Sequence, residues 1–106
     1  MQTIEGILKE ELKRLREATK SYRGEIEKLP RGSIQYKKIN GVLYPYLAFR
    51  RSGKVVSQYL GRLSKEELEA LKKDLELRGE YERLLREVRR NRARVEGMIH
   101  GKRSAV

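Results

Sequence analysis

Apolar residues recur every three or four positions through the first thirty residues of the chain. They are Leu8, Leu12, Leu15, Thr19, Tyr22, Ile26 and Leu29, with Thr19 as the near-apolar member. This alternation predicts a helix with one continuous seam. Pro30 ends the helix because it has no N–H and collides with the preceding turn. We therefore predict a helix from Ile4 to about Lys28 within an N-terminal segment of residues 1–30. The seam fits both an ordinary amphipathic helix and a coiled coil.

The next segment alternates between apolar and polar positions, which is typical of strands with one buried face. Asn40-Gly41 is a two-residue type I′ hairpin signal, and Ser52-Gly53 is a second candidate. These turns predict three antiparallel strands over residues 33–39, 42–50 and 54–60. The module formed by residues 31–63 then separates the first helix from the rest of the chain.

Two-residue turns also determine which residues lie opposite one another and therefore share a face. The predicted pairs are Ile39 with Val42, Lys37 with Tyr44, Gln35 with Tyr46, Arg50 with Val55, Ala48 with Ser57, and Tyr46 with Tyr59. One side, called here the apolar sheet face, holds Ile34, Tyr36, Leu43, Pro45, Leu47, Phe49, Val56 and Leu60, with Gln58 and Lys38 towards its margins. The other side, the basic sheet face, holds Gln35, Lys37, Tyr44, Tyr46, Ala48, Arg50, Val55, Ser57 and Tyr59.

Pro45 falls inside the predicted middle strand, which has neighbours on both sides. Proline cannot donate a ladder hydrogen bond, so it is normally confined to edge strands and bulges. We therefore expect a bulge or a local gap in pairing at this position, which would re-aim Tyr44 and Tyr46.

A second helix is predicted over residues 64–100, beginning at a capping box formed by Ser64 and Glu67. One apolar stripe runs through Leu68, Leu71 and Leu75. A second stripe, shifted in phase, runs through Tyr81, Leu85, Val88, Val95 and Ile99, with Arg92 interrupting it. Gly79 lies at the phase change and is a candidate break. We expect residues 64–78 to cover the apolar sheet face, residues 80–99 to pair with helix 1, and residues 101–106 to be disordered.

The predicted fold class is α+β, with a long helix, a three-stranded antiparallel sheet and a second long helix. The two helices are expected to form an antiparallel coiled-coil hairpin. With 106 residues the chain has room for one domain of ordinary size, or for a small module with helical extensions, rather than for two independent cores. The seams leave open whether the heptads pair within the chain, in a homodimer or with a partner helix.

Charge is distributed unevenly along the chain, whose net charge is +11. Residues 31–63 carry seven Lys or Arg and neither Asp nor Glu, together with four of the six tyrosines. An acid-free basic segment interleaved with aromatic residues is typical of nucleic-acid-binding surfaces. A solvated sheet with tyrosines selected for β-propensity is the alternative, but such a face usually carries some acids.

A second group of cations, Arg83, Arg86, Arg89, Arg90, Arg92 and Arg94, lies in the second helix. These arginines are predicted either to form ion pairs within and between the helices or to bind phosphates. Pairing partners would be Glu80, Glu82 and Glu87, together with Glu5, Glu10, Glu11 and Glu17 of the first helix. Both interpretations are kept, and Arg83, Arg86, Arg89, Arg90 and Arg94 form a predicted secondary basic patch.

Catalytic chemistry has little support in the sequence. The chain has no cysteine and a single histidine, His100, so a thiolate site or a multi-histidine metal site is not expected. No phosphate-cradling glycine loop is present. We predict a protein that is not an enzyme and uses no metal or cofactor. The lack of a signal peptide and of an apolar run long enough for a membrane span predicts a cytoplasmic location with no membrane partner.

Several short motifs carry a resemblance to known modules. They are Leu29-Pro30-Arg31-Gly32-Ser33-Ile34, Asn40-Gly41, Tyr44, Tyr46-Leu47, Arg50, Gly53-Lys54-Val55 and Tyr59-Leu60-Gly61. Together they resemble a module common in short uncharacterised bacterial and archaeal proteins. The strand–turn–strand–turn–strand–helix order also looks like the DNA-binding sheets of tyrosine-integrase arm domains and of the plant ethylene-response-factor type. That resemblance implies a sheet that enters the major groove and reads it with Gln35, Lys37, Tyr44, Tyr46, Arg50, Ser57 and Tyr59.

The leading hypothesis is a small basic protein that binds double-stranded DNA through the exposed sheet face, as a regulator, a mobile-element accessory or a nucleoid-associated protein. The predicted contact residues are Gln35, Lys37, Lys38, Tyr44, Tyr46, Arg50, Arg51, Lys54, Ser57 and Tyr59. One alternative is binding of RNA or single strands by tyrosine stacking on the same face. Another is a coiled-coil interaction module, such as an antitoxin or adaptor subunit.

Overall fold

A computed structural model describes the backbone from Thr3 to Ser104 and the side chains from Thr3 to Gly101. Two helices flank a three-stranded antiparallel sheet, which confirms the predicted α+β class. The elements in chain order are α1 (Ile4–Lys28), β1 (Ser33–Ile39), β2 (Val42–Arg51), β3 (Lys54–Tyr59) and α2 (Lys65–Ser104). Over these described residues, neither helix has a stretch long and apolar enough to cross a membrane.

Both strand connections are tight two-residue turns with left-handed backbone. Asn40 and Gly41 have φ of 52° and 81°, and Ser52 and Gly53 have φ of 51° and 77°. Positive φ at both central residues defines the type I′ turn, whose twist matches that of the strands it joins. The resulting register contains all six predicted pairs, from Ile39 opposite Val42 to Tyr46 opposite Tyr59.

Pro45 does not produce the expected bulge or gap, so that prediction was wrong. Tyr36 lies opposite Pro45 in an unbroken ladder with β1. The Pro45 carbonyl points the other way and accepts the N–H of Leu60 at 2.9 Å. The missing Pro45 N–H would therefore face Leu60, beyond the end of β3, where no ladder bond is needed. The Leu60 carbonyl instead accepts the N–H of Leu63 at 3.0 Å, and the chain leaves the sheet in a turn.

The chain divides into two compact units, a helical unit and a sheet unit. The helical unit contains residues up to Lys28 together with those from Glu80 onward, and the sheet unit contains Leu29–Gly79. The boundary coincides with Gly79, where the sequence changes the phase of its apolar stripe. Each half of α2 therefore belongs to a different unit and packs with its own set of partners.

Helix α1 and the second half of α2 pack against each other in the helical unit. Leu12, Leu15 and Val95 form the buried cluster, with Leu8, Val88 and Ile99 packed against it. Toward the other end of α1, the rings of Tyr22 and Tyr81 lie 5.9 Å apart. The reversed order of these contacts makes the two helices antiparallel, as predicted. Coiled-coil packing in the strict sense stays a prediction.

Thr19 occupies a seam position without leaving its hydroxyl unsatisfied. Only 6% of the residue is exposed, and its Oγ1 donates to the Leu15 carbonyl at 2.8 Å. A threonine that bonds back to residue i−4 can be buried in a helix at little cost. The weakest position of the predicted seam is therefore part of the buried surface.

Helix α2 is continuous across Gly79, where the sequence suggested a break. Its start follows the predicted capping box: the Glu67 N–H donates to Ser64 Oγ, and the Ser64 N–H donates to Glu67 Oε1, both at 3.1 Å. The helix extends to Ser104, four residues beyond the predicted end and into the segment expected to be disordered. The last two positions of that segment, 105–106, lie outside the described residues.

The sheet unit has a small core on the apolar sheet face. Leu60 is buried with 6% of its surface exposed, whereas most residues of this face are half-buried and Tyr36 and Leu43 are exposed. The first half of α2 lies on this side, since Lys72 Nζ is 5.9 Å from the Tyr36 ring centroid. Arg78 donates to the Leu29 carbonyl at 2.7 Å and fastens the same helix to the start of the unit. The predicted cover by residues 64–78 is therefore present but partial.

A side-chain methyl group would collide with backbone at Gly32 but not at Gly79, so alanine at these two positions should change the free energy of unfolding in opposite directions. Gly32 has φ of 117°, and a Cβ built there would lie 2.5 Å from the Ala48 carbonyl oxygen. Because that neighbour is backbone, we expect Gly32→Ala to lower the free energy of unfolding of the sheet unit by about 1–3 kcal/mol. Denaturant titration measures this decrease, and an unchanged midpoint would contradict the close approach of Gly32 to Ala48.

Gly79→Ala is the matched substitution, since a Cβ there meets nothing within 4 Å. Alanine in the interior of a continuous helix should raise the free energy of unfolding by about 0.5–1 kcal/mol. The same titration applies. A destabilised Gly79→Ala variant would argue for a break in α2 at this position.

Candidate nucleic-acid interface

The register brings seven of the ten predicted contact residues onto one side of the sheet. They are Gln35, Lys37, Tyr44, Tyr46, Arg50, Ser57 and Tyr59. The other three do not join them. Lys38 lies opposite Leu43, and Arg51 lies opposite Lys54, so alternation places all three on the apolar sheet face. The basic sheet face therefore holds only part of the predicted site.

Three tyrosines form a connected cluster at the centre of the basic sheet face. The Tyr59 ring centroid lies 5.3 Å from that of Tyr46 and 6.3 Å from that of Tyr44, with tilted planes in both pairs. Lys37 Nζ lies 4.3 Å from the Tyr46 centroid, within cation–π range. The cluster and its lysine come from all three strands, so the hairpin register assembles them.

Gly61 makes room for this cluster, a role that sequence reasoning missed. A Cβ built on Gly61 would collide with the Tyr59 ring, at Oη and Cζ. The ring therefore lies directly on the glycine that follows β3. The signal in the sequence was the motif Tyr59-Leu60-Gly61, in which the glycine comes two residues after the aromatic residue.

A shallow depression of about 310 Å³ lies at the other end of the same face. Its lining is Gly32, Ser33, Gln35, Ala48, Phe49, Arg50 and Val55. Ala48 is buried with 8% of its surface exposed, whereas Arg50 and Gln35 are exposed beside it. A small residue flanked by a guanidinium and an amide leaves space for a group that accepts hydrogen bonds.

Apolar side chains also contribute to this face and were left out of the predicted site. Ile39 and Val42, opposite each other at the first turn, are 48% and 51% exposed, and Val55 beside Arg50 is 65% exposed. Their position follows from the predicted register, but the predicted site contained only charged, hydrogen-bonding and aromatic residues and therefore did not include them. They are available for contact with sugars or thymine methyl groups.

Carboxylates are absent from the sheet and confined to the helix that lies on its opposite side. Every Asp and Glu of the sheet unit is in α2: Glu66, Glu67, Glu69, Asp74 and Glu76. Hydrogen bonding to Tyr36, and then to Glu69, raises the pKa of Lys72. Because Lys72 contacts the apolar sheet face, this acidic helix does not neutralise Lys37 or Arg50.

The predicted secondary basic patch is divided by its ion pairs. Arg83 is bound by Glu80 and Glu87, and hydrogen bonding to Glu80 raises the pKa of Arg83. Arg92, outside the patch, pairs with Glu96 at 3.0 Å. Among the described side chains, Arg86, Arg89, Arg90 and Arg94 have no carboxylate within ion-pair distance. Glu5 and Glu11, predicted as partners across the helices, pair with Lys9 and Arg14 of α1.

No group of three or more His, Cys, Asp or Glu side chains within the described part of the chain is arranged to hold a metal ion. His100 is exposed on α2.

A family model described as "Domain of unknown function (DUF6788)" matches residues 1–70, which include α1, the whole sheet and the start of α2. No curated protein and no solved structure matches the chain.

The contact between Gly61 and the Tyr59 ring generates a prediction about the tyrosine cluster. Gly61→Ala should force the Tyr59 ring away and remove most of the nuclear Overhauser effects between the Tyr59 and Tyr46 rings. Gly24→Ala is the control, because a Cβ at Gly24 meets nothing within 4 Å. If the ring–ring effects survive in Gly61→Ala at wild-type intensity, Gly61 is not what positions Tyr59.

Proposed function

The chain belongs to the family described as "Domain of unknown function (DUF6788)", and we propose that it is a small protein that binds double-stranded DNA through the basic sheet face. The observation that carries the proposal is the sorting of side chains by the hairpin register. Lys37, Arg50 and the tyrosine cluster share one face, and the carboxylates of the same unit lie in a helix on the other side. A regulator, a mobile-element accessory factor or a nucleoid-associated protein would use such a surface.

Lys37 and Arg50 supply the charge in this proposal, and they differ in role. Lys37 is held over Tyr46, where its ammonium is a compact point charge suited to a backbone phosphate. Arg50, beside Gln35 and the depression over Ala48, has the planar donor fork that recognises the acceptor edge of guanine. Gln35 and Ser57 add further hydrogen-bonding groups. Phosphate contacts would position the sheet, and Arg50 and Gln35 would reach base edges.

The tyrosine rings favour duplex DNA over a single strand, because neighbouring side chains cover part of the ring faces that a base would stack on. Base stacking needs an open ring face. Lys37 covers a face of Tyr46, and Tyr59 packs against both Tyr44 and Tyr46. Tyr59 is nevertheless 49% exposed, and this supports RNA or single-strand binding as the second candidate. The two candidates use the same face and differ in the state of the nucleic acid.

Other features of the proposal concern the helices and the location of the protein. The antiparallel pairing of α1 with α2 buries the predicted seams within the chain, so a homodimer or partner helix would have to use another surface. An interaction module with no nucleic-acid partner is therefore less well supported.

The proposal includes a cytoplasmic location, where chromosomal DNA of a prokaryotic cell is accessible, and a function without catalysis, metal or cofactor.

A paired set of double variants tests the basic sheet face. Lys37→Ala with Arg50→Ala removes two cations from it, and Lys38→Ala with Arg51→Ala removes the same residue types from adjacent positions on the apolar sheet face. The first pair should lower the affinity for duplex DNA by about 10-fold or more, since loss of a bidentate base contact alone costs roughly 1–3 kcal/mol and loss of a phosphate contact adds to it. The second pair should lower it by much less.

Affinities are measured for duplex DNA, single-stranded DNA and RNA over a salt series. When phosphates are contacted, the logarithm of the binding constant falls linearly with the logarithm of the salt concentration. Circular dichroism checks that the variants keep the helical signal. Equal decreases in the two pairs would refute the face assignment. Preferred binding of single strands, abolished by Tyr59→Ala, would favour the second candidate. No binding of any nucleic acid at low salt would leave the interaction module.

A further inference from the structure

Three arginines on α2 form a straight row within the helical unit. Arg86, Arg90 and Arg94 are spaced four residues apart, so successive side chains stand about 6 Å apart along the helix axis. At about 100° per residue they lie about 100–180° around the helix from the buried Leu85 and Val95. All three are exposed on the surface of the helix. We call them the arginine row, and Arg89 is exposed at its side.

The row is charged and lacks carboxylate partners, unlike Arg83 and Arg92 of the same helix. Arg83 and Arg92 have glutamate partners on α2, and the described structure gives none to Arg86, Arg90 or Arg94. Glu87, the acid nearest in sequence to Arg86 and Arg90, is engaged by Arg83 at 2.7 Å, and Glu96, the acid nearest to Arg94, is engaged by Arg92 at 3.0 Å. Like charges four residues apart on a helix repel. The spacing therefore works against the isolated helix and favours an external anion.

The choice of arginine rather than lysine also points to a phosphate ligand. Between residues 80 and 101 the chain has six arginines and no lysine, whereas α1 carries four lysines among its seven cations. Lysine would serve solubility equally well, but only the guanidinium presents a rigid planar fork for bidentate contact with phosphate. Arg90 and Arg94, together with Asn91 and Glu87, also line a depression of about 300 Å³. Asn91 adds an amide donor beside the guanidinium groups.

We propose that the arginine row is a second nucleic-acid contact, which binds backbone phosphates without reading sequence. The partner is the duplex of the proposed function, on which this inference rests. The basic sheet face would then supply base contacts and part of the phosphate contacts, and the row would supply sequence-independent affinity. Variants in the row should change affinity nearly equally for all duplex sequences.

The test compares three variants of the full chain with the wild type for binding to short duplexes of several sequences across a salt series. The row variant is R86Q with R90Q and R94Q, in which glutamine keeps helix propensity and removes charge. The control variant is K13Q with R16Q and K20Q, which removes three exposed cations from α1 of the same unit. The third is Lys37→Ala with Arg50→Ala on the basic sheet face.

The slope of log affinity against log salt should fall by about 0.9 for each phosphate that is no longer neutralised, so by about 2–3 in the row variant and by less than about one in the control. Circular dichroism confirms equal helical content. An unchanged slope in the row variant, or an equal fall in the control, would overturn the inference while leaving the proposed function intact. A row variant that no longer binds while the sheet variant still does would support the row and refute the sheet face. No duplex binding by the wild type would refute both.

Discussion

A strand has only two faces, so the two left-handed turns at Asn40-Gly41 and Ser52-Gly53 decide what each side of this sheet presents. A slip of one residue at either turn would move the side chains of the strand beyond that turn to the opposite face. With both turns in place, tyrosines from β2 and β3 meet, and Lys37 from β1 lies over one of them. The apolar partners collect on the other side, under the first half of α2. Core and candidate site therefore depend on the same turns.

Pro45 sets the end of the sheet, because it has no N–H to donate to the Leu60 carbonyl across the sheet. The Leu60 carbonyl has no N–H to accept across the sheet and takes that of Leu63. The chain then turns at Gly61 and reaches the capping box at Ser64. This short path buries Leu60, makes room for the Tyr59 ring on Gly61, and starts α2. One proline thus links the length of β3 to the geometry of the tyrosine cluster.

Features set by local interactions could be predicted from the sequence: the turns, the register, the capping box and the seam of α1. The bulge expected at Pro45 was wrong. The sequence does not show that the Pro45 carbonyl accepts the N–H of Leu60, or that the Leu60 carbonyl accepts the N–H of Leu63, because both hydrogen bonds depend on the folded structure. Gly79 suggested a break, but one glycine costs a helix only about 1 kcal/mol, and both halves of α2 are held by their units. Arg51 and Lys54 were assigned to the site by composition, whereas alternation places them on the apolar sheet face, where Lys38 was already expected at the margin.

Contact through the basic sheet face can be tested with adjacent methyl groups that lie on opposite faces of the sheet. Val55 is on the basic sheet face and Val56 is on the apolar sheet face, while Val42 and Leu43 form the same kind of pair at the first turn. In methyl-labelled protein saturated with duplex DNA, cross-saturation from DNA protons should attenuate Val42 and Val55 and spare Leu43 and Val56. Attenuation of Leu43 and Val56 instead, or of none of the four residues, would contradict contact between duplex DNA and the basic sheet face.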